Sequence, residues 1–109
     1  MPHGTTLVKV ARLSEIPAGR SKRVSVGDED IALWHVEGRI YAINNVCSHQ
    51  HFPALHQGML DGCTVTCPMH GWRYSLETGQ AEVGDGKVKT YRVIVKGEDV
   101  FVEQPVQPW

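Results

Sequence analysis

Nowhere in this 109-residue chain does an uninterrupted apolar run of about 18 residues occur, which excludes a membrane-spanning helix. Met1-Pro2-His3-Gly4-Thr5-Thr6-Leu7 lacks the apolar core of a signal peptide, so the expected location is cytoplasmic. Acids and bases are interspersed and sum to a net charge of −1. Without a basic tract no nucleic-acid partner is predicted, and without an acidic block no charged tail. A sustained 3.6-residue apolar period is also missing, which argues against any long helix. Only three cysteines are present, and in a reducing compartment they read as metal ligands plus a spare rather than as a disulfide framework. The chain shows no nucleophile–base pair and no phosphate-cradling loop, and Gly84-Asp85-Gly86 is short enough to be a turn. The chain alone is therefore not expected to be an enzyme.

What is present is a series of short β-branched, alternating segments separated by glycine-containing turns. Strands are predicted over 5–10, 21–26, 30–36, 39–44, 64–66, 74–76, 88–95 and 99–103, with a strand start and turn within 57–62. Leu13-Ser14-Glu15-Ile16 offers one helical turn at most before Pro17 and Gly19. Segments 81–87 and 104–109 read as a polar connection and a loose tail, because Pro105 and Pro108 cannot donate to a ladder. With no repeat, linker or composition shift, residues 1–109 are expected to form one antiparallel all-β domain. Trp34 and Tyr41 suit its core, and His35 suits a strand position facing solvent or a hydrogen-bond partner.

The most specific stretch runs from Cys47 to His70. It reads Cys47-Ser48-His49, then seventeen residues, then Cys67-Pro68-Met69-His70. Each cluster brings one thiolate and one imidazole, and bringing two loops together needs less ordering than converging four. A Cys₂His₂ zinc site uses the same residue types, but normally as two cysteines followed by two histidines. Here sulfur and nitrogen alternate, so each loop can offer one atom to each of two irons, which is the ligand set of a Rieske [2Fe–2S] centre.

The motif C-x-H-x₁₇-C-x-x-H followed by Gly71-Trp72 resembles the Rieske family, and the strands on either side fit its β fold. The resemblance implies a small sandwich or partial barrel of antiparallel sheets, with a two-loop tip and a cluster-binding part at about 45–75. It implies one [2Fe–2S] cluster, held by Cys47 and Cys67 on the inner iron and by His49 and His70 on the outer iron. Pro68, Gly71, Trp72 and Tyr74 would stand behind these ligands: Pro68 stiffening the loop and Gly71 permitting close backbone approach. Respiratory Rieske proteins have an extra cysteine in each ligand loop, where this chain has His51 or Phe52 and Met69, so their disulfide is missing. They also place Ser and Tyr two and four residues after the second His. Here Trp72 replaces the first hydroxyl and Tyr74 keeps the second, which points to the lower part of the Rieske range of about −150 to +300 mV.

The short chain looks like the Rieske-type ferredoxins, which carry one electron at a time between a flavin-dependent or ferredoxin reductase and a terminal oxygenase of the aromatic-ring dioxygenase type. Gln50, His51, Phe52, Pro53, Leu55 and Met69 would then form the docking tip. His51 and His56 read as loop residues, and Cys63 as a small buried thiol on the same face as Cys67. Alternative readings are a small subunit of a nitrite-reductase-like assembly and a zinc-binding interaction module.

Overall fold

The computed structural model describes residues 5–47, 53–69, 71–83 and 86–105. Its strands are β1 (Thr5–Arg12), β2 (Ser21–Val26), β3 (Glu29–Val36), β4 (Arg39–Asn44), β5 (Met59–Asp61), β6 (Thr64–Thr66), β7 (Arg73–Ser75), β8 (Ala81–Val83), β9 (Thr90–Tyr91), β10 (Val93–Lys96) and β11 (Asp99–Pro105). Two short 3₁₀ turns, Leu13–Glu15 and Leu55–Gln57, complete the described elements. The strands form three antiparallel sheets, ordered β1-β11-β10, β2-β3-β4-β9 and β5-β6-β7-β8. The fold is thus all-β, as the turn spacing predicts, with open sheet edges rather than a closed barrel. Among the described residues no helix is long and apolar enough to cross a membrane.

The middle sheet explains the unbroken apolar run Ile31-Ala32-Leu33-Trp34. Successive strand residues point to opposite faces, and both faces of β3 are covered. Ile31 and Leu33 join Ile16, Ile40, Val100 and Val102 in one core. Ala32 and Trp34 join Ile43, Leu55, Val65, Tyr74 and Leu76 in the other. The second core also contains Cys47 and Cys67, so the proposed sulfur ligands grow out of packed hydrophobic structure.

Strands β4 and β9 are neighbours, with Ala42 opposite Tyr91 and Ile43 opposite Thr90. Everything between them, both ligand loops and the β5–β8 sheet, is one excursion from the middle sheet. A hydrogen-bond network holds its ends together. Tyr91 Oη donates to Glu29 Oε1 at 2.5 Å and Lys89 Nζ donates to the same oxygen at 2.9 Å. Asn44 Nδ2 donates to Tyr91 Oη at 3.1 Å, while Asn44 Oδ1 accepts the Val46 N–H at 2.9 Å. Burial, then the hydrogen bond to Glu29, pushes the Tyr91 phenol well above its usual range, so it stays a neutral donor.

Three sequence expectations need correction. The strand predicted over 88–95 is two strands, for the chain changes sheet at Arg92: β9 pairs with β4, whereas β10 pairs with β11. Such corners let one strand serve two stacked layers. Residues 81–83 form β8 against β7 rather than a connection. The loose tail also begins later than expected, because Gln104 and Pro105 pair with Thr6 and Thr5. Pro105 stands at the last position of its strand, where a missing N–H costs the ladder least. Residues 106–109 lie outside the described residues.

Candidate metal centre

Each cysteine stands at the start of a short loop that backbone hydrogen bonds close. The second loop connects β6 to β7. The Cys67 N–H donates to the Trp72 carbonyl at 2.7 Å and the Gly71 N–H donates to the Cys67 carbonyl at 3.1 Å. Gly71 has φ +74°, a region that costs other L-residues about 1–2 kcal/mol. A Cβ there would meet no described heavy atom within 4 Å, so among the described residues it is backbone handedness that calls for a glycine. Pro68 and Met69 are exposed at the turn. The Trp72 ring is half-buried against the core that contains both cysteines.

The first loop leaves β4 at Asn45 and returns through Pro53 to the 3₁₀ turn at Leu55–Gln57. An antiparallel bridge between Val46 and Pro53 marks its neck. Cys47 lies just beyond that neck, 1% exposed, like Cys67. Tyr74, fully buried on β7, places its hydroxyl 3.2 Å from Cys47 Sγ. A phenol that donates to sulfur favours a thiolate over a thiol, and no disulfide joins the three cysteines. Two buried sulfurs, one of them 3.2 Å from a phenol hydroxyl, fit the thiolate half of a mixed sulfur–nitrogen cluster site. Among the described residues no three His, Cys, Asp or Glu side chains gather as a metal-holding group. His49 and His70, the expected nitrogen ligands, lie outside the described residues, as do Gln50, His51 and Phe52.

Leu55 does not belong to the docking tip expected from the sequence. It is fully buried in the cysteine-containing core, because the 3₁₀ turn directs it inward under the loop. Pro53 is half-buried and Met69 is 46% exposed, which leaves Met69 as the exposed apolar side chain among the described members of that expected set. Cys63 also departs from expectation. It lies in the β5–β6 turn just before β6, half-buried at the core's edge, and its hydrogen bond to Tyr41 is the main cause raising that phenol's pKa. Trp34 is buried as expected and Tyr41 partly so. The His35 Nδ1–H donates to the Ile16 carbonyl at 2.6 Å, a satisfied partner rather than a ligand.

One residue that the sequence reading passed over organises the first loop. Asn45, fully buried, donates from Nδ2 to Asp30 Oδ1 at 3.1 Å and to the Pro53 carbonyl at 3.2 Å. Its Oδ1 accepts the His56 N–H at 2.6 Å and the His56 Nδ1–H at 3.1 Å. Asp30 is itself gripped by both arms of the Arg23 guanidinium, at 3.0 and 2.7 Å. Burial, then the Arg23 charge, lowers the His56 pKa and so favours its neutral ring, against the pull of Asp30.

The Arg23 hydrogen bonds chiefly, aided by Asn45, hold the Asp30 carboxyl below its ordinary pKa against the opposing effect of burial. A depressed folded-state pKa contributes stability that is complete above the unfolded value of about 3.9 and lost as pH falls through the lower folded value. Urea midpoints of the wild type and Asp30→Asn should therefore differ most near neutrality and converge in acid. A gap that widens on acidification would contradict this account.

Comparison with known proteins places these observations. The family model for the Rieske [2Fe-2S] domain matches residues 6–97. The naphthalene 1,2-dioxygenase system ferredoxin component of Pseudomonas aeruginosa is 35% identical over 98 residues, covering 88% of this chain and 93% of that protein. Among solved structures, the ferredoxin of carbazole 1,9a-dioxygenase from Nocardioides aromaticivorans IC177 aligns with a TM-score of 0.83 at 28% identity, covering 89% of this chain and 96% of that one. A complex of reduced oxygenase and oxidized ferredoxin in carbazole 1,9a-dioxygenase aligns at 0.82 and 28%, covering 94% of this chain and 97% of the matched chain. A putative NADH-dependent nitrite reductase small subunit from Mycobacterium tuberculosis aligns at 0.85 but 18% identity, over 92% and 96%, a likeness of fold alone.

Proposed function

The chain belongs to the Rieske [2Fe–2S] domain family, and from that premise we propose that it is the ferredoxin of an aromatic-ring dioxygenase system, taking electrons singly from a reductase and delivering them to a terminal oxygenase. The observation that carries this reading is the alignment with a dioxygenase ferredoxin component over 93% of that relative's length. The match takes in most of both chains, 88% of this one and 93% of the relative. The family's cofactor is one Rieske-type cluster, and the chain is an electron-transfer component rather than a catalytic subunit.

In the proposed site Cys47 and Cys67 hold one iron, and His49 and His70 hold the other. The cluster supplies a centre that gains and loses one electron. The chain's own residues set the conditions for that exchange. Burial of Cys47 and Cys67 excludes water from the sulfur side, while the Tyr74 hydroxyl, 3.2 Å away, would donate to the Cys47 thiolate. A hydrogen-bonded sulfur disperses added negative charge, so the phenol favours the reduced state. The histidine side would face the partner, since tunnelling weakens steeply with distance.

The donor is proposed to be a flavin-dependent or ferredoxin reductase, and the acceptor the oxygenase, both using the tip formed by Gln50, His51, Phe52, Pro53 and Met69. Such encounters are small, and their rates depend strongly on charge complementarity. Phe52→Glu and Met69→Glu should slow reduction by the reductase and oxidation by the oxygenase by about tenfold in stopped-flow, through misplaced charge at the contact. Their cluster absorbance should stay that of the wild type. Wild-type transfer rates in both variants would remove the tip from the docking surface.

A further inference from the structure

We infer that Asn45 is a positioning residue for the cluster: it fastens the two arms of the first ligand loop and so fixes where Cys47 presents its sulfur. The inference rests on the ligand assignment proposed above. Asn45 is the one polar residue in the buried class among the described residues. Both amide hydrogens and both carbonyl lone pairs of its side chain are used, two as donors and two as acceptors. The partners leave no doubt about the amide's orientation, since a carboxylate and a carbonyl can only accept and a backbone N–H can only donate.

The direction of these bonds separates this residue from an ordinary satisfied core asparagine. On the incoming arm, the Asn45 N–H donates to the Asp30 carbonyl at 2.7 Å, and its side chain donates to the Asp30 carboxylate that Arg23 holds. Its remaining contacts all go to the returning arm. They are the Pro53 carbonyl, the His56 N–H and ring, and the Leu55 N–H, which donates to the Asn45 carbonyl at 3.1 Å. One side chain and its own peptide thus tie residues 53–56 to the middle sheet. The segment so closed begins at Val46 and contains Cys47 and His49. Ser21 Oγ donates to the His56 carbonyl and secures the same arm from β2. An apolar residue could fill this volume, but it would leave the Pro53 carbonyl and the His56 N–H without the partners that define the loop's closure.

The experiment uses the cluster-loaded protein. Asn45→Ala is compared with the wild type and with Val100→Ala, which cuts into the other core and destabilises the fold without touching the loop. Bleaching of cluster absorbance by an iron chelator should be at least about tenfold faster in Asn45→Ala, in line with the loss of a supporting partner at a metal site. Its electron paramagnetic resonance g values should shift, and amide exchange across 53–58 should quicken. Val100→Ala should keep wild-type bleaching, g values and exchange, even where its melting temperature falls as far. Should Asn45→Ala fail to fold, Asp30→Ala removes the outer anchor alone and should accelerate bleaching to a smaller extent. Wild-type bleaching and g values in the Asn45 variant (or, if that does not fold, in the Asp30 variant), or equal acceleration in Val100→Ala, would overturn the inference. Absence of a nitrogen-coupled cluster signal from the wild type would instead bring down the ligand assignment, and this inference with it.

Discussion

Alanine in place of His49 or His70 should abolish the mixed-ligand cluster, with iron retention falling by more than the roughly 10–100-fold typical of losing a supporting residue at a metal site. The expectation follows from how the two loops divide the work. In the proposed assignment each loop brings one sulfur and one nitrogen, so loss of either imidazole opens one iron while both thiolates remain. Cys47 and Cys67 are each 1% exposed within a packed core to which β3, β4, β6 and β7 contribute apolar residues. The variants should therefore fold, with wild-type far-ultraviolet circular dichroism, yet lose the visible absorbance of the cluster. Iron, sulfide and absorbance measured on the same preparation check the prediction. A histidine variant that keeps stoichiometric iron and an unaltered spectrum would refute the ligand assignment.

Replacing Tyr74 by phenylalanine should lower the reduction potential while leaving the cluster in place. The Tyr74 hydroxyl lies 3.2 Å from Cys47 Sγ in a fully buried position, where no water can stand in for it. With Cys47 as a thiolate, the phenol is the donor. Hydrogen bonds to charged groups contribute about 1.5–3 kcal/mol, and the added electron strengthens this one. If about 1 kcal/mol of that strength appears only on reduction, the midpoint falls by about 40 mV, at 59 mV per tenfold change for one electron. The sign is firm, because the donor stabilises the more negative state and its removal disfavours that state. A redox titration followed by visible absorbance reads the shift. An unchanged or raised midpoint would show that the phenol does not tune the cluster.

Much of this arrangement could be read from the residues in order, and the parts that could not share a physical cause. The proposed ligands are picked out because sulfur and imidazole chemistry is tied to fixed short offsets, Cys47-x-His49 and Cys67-x-x-His70, that survive any change in the surrounding fold. Tyr74 was placed beside the site by its offset from His70, and the structure puts its hydroxyl on the Cys47 sulfur. The all-β character follows from turn glycines and alternation, local signals both. Leu55 looked like a surface residue because it stands in a polar loop, and only the 3₁₀ turn after Pro53 directs it into the core. Asn45 looked like the end of a strand, since all four of its side-chain bonds go to residues eight to fifteen positions away. The sheet change at Arg92 has no local mark either. It depends on which neighbour, β4 or β11, is in reach on each side of that residue.

Pulsed electron paramagnetic resonance of the dithionite-reduced protein tests the central claim most directly. The account predicts one spin-half centre per chain whose electron couples to two imidazole nitrogens, with both couplings removed when His49 and His70 are replaced. A wild-type signal without nitrogen coupling, or a colourless protein that holds zinc in place of iron and sulfide, would contradict it.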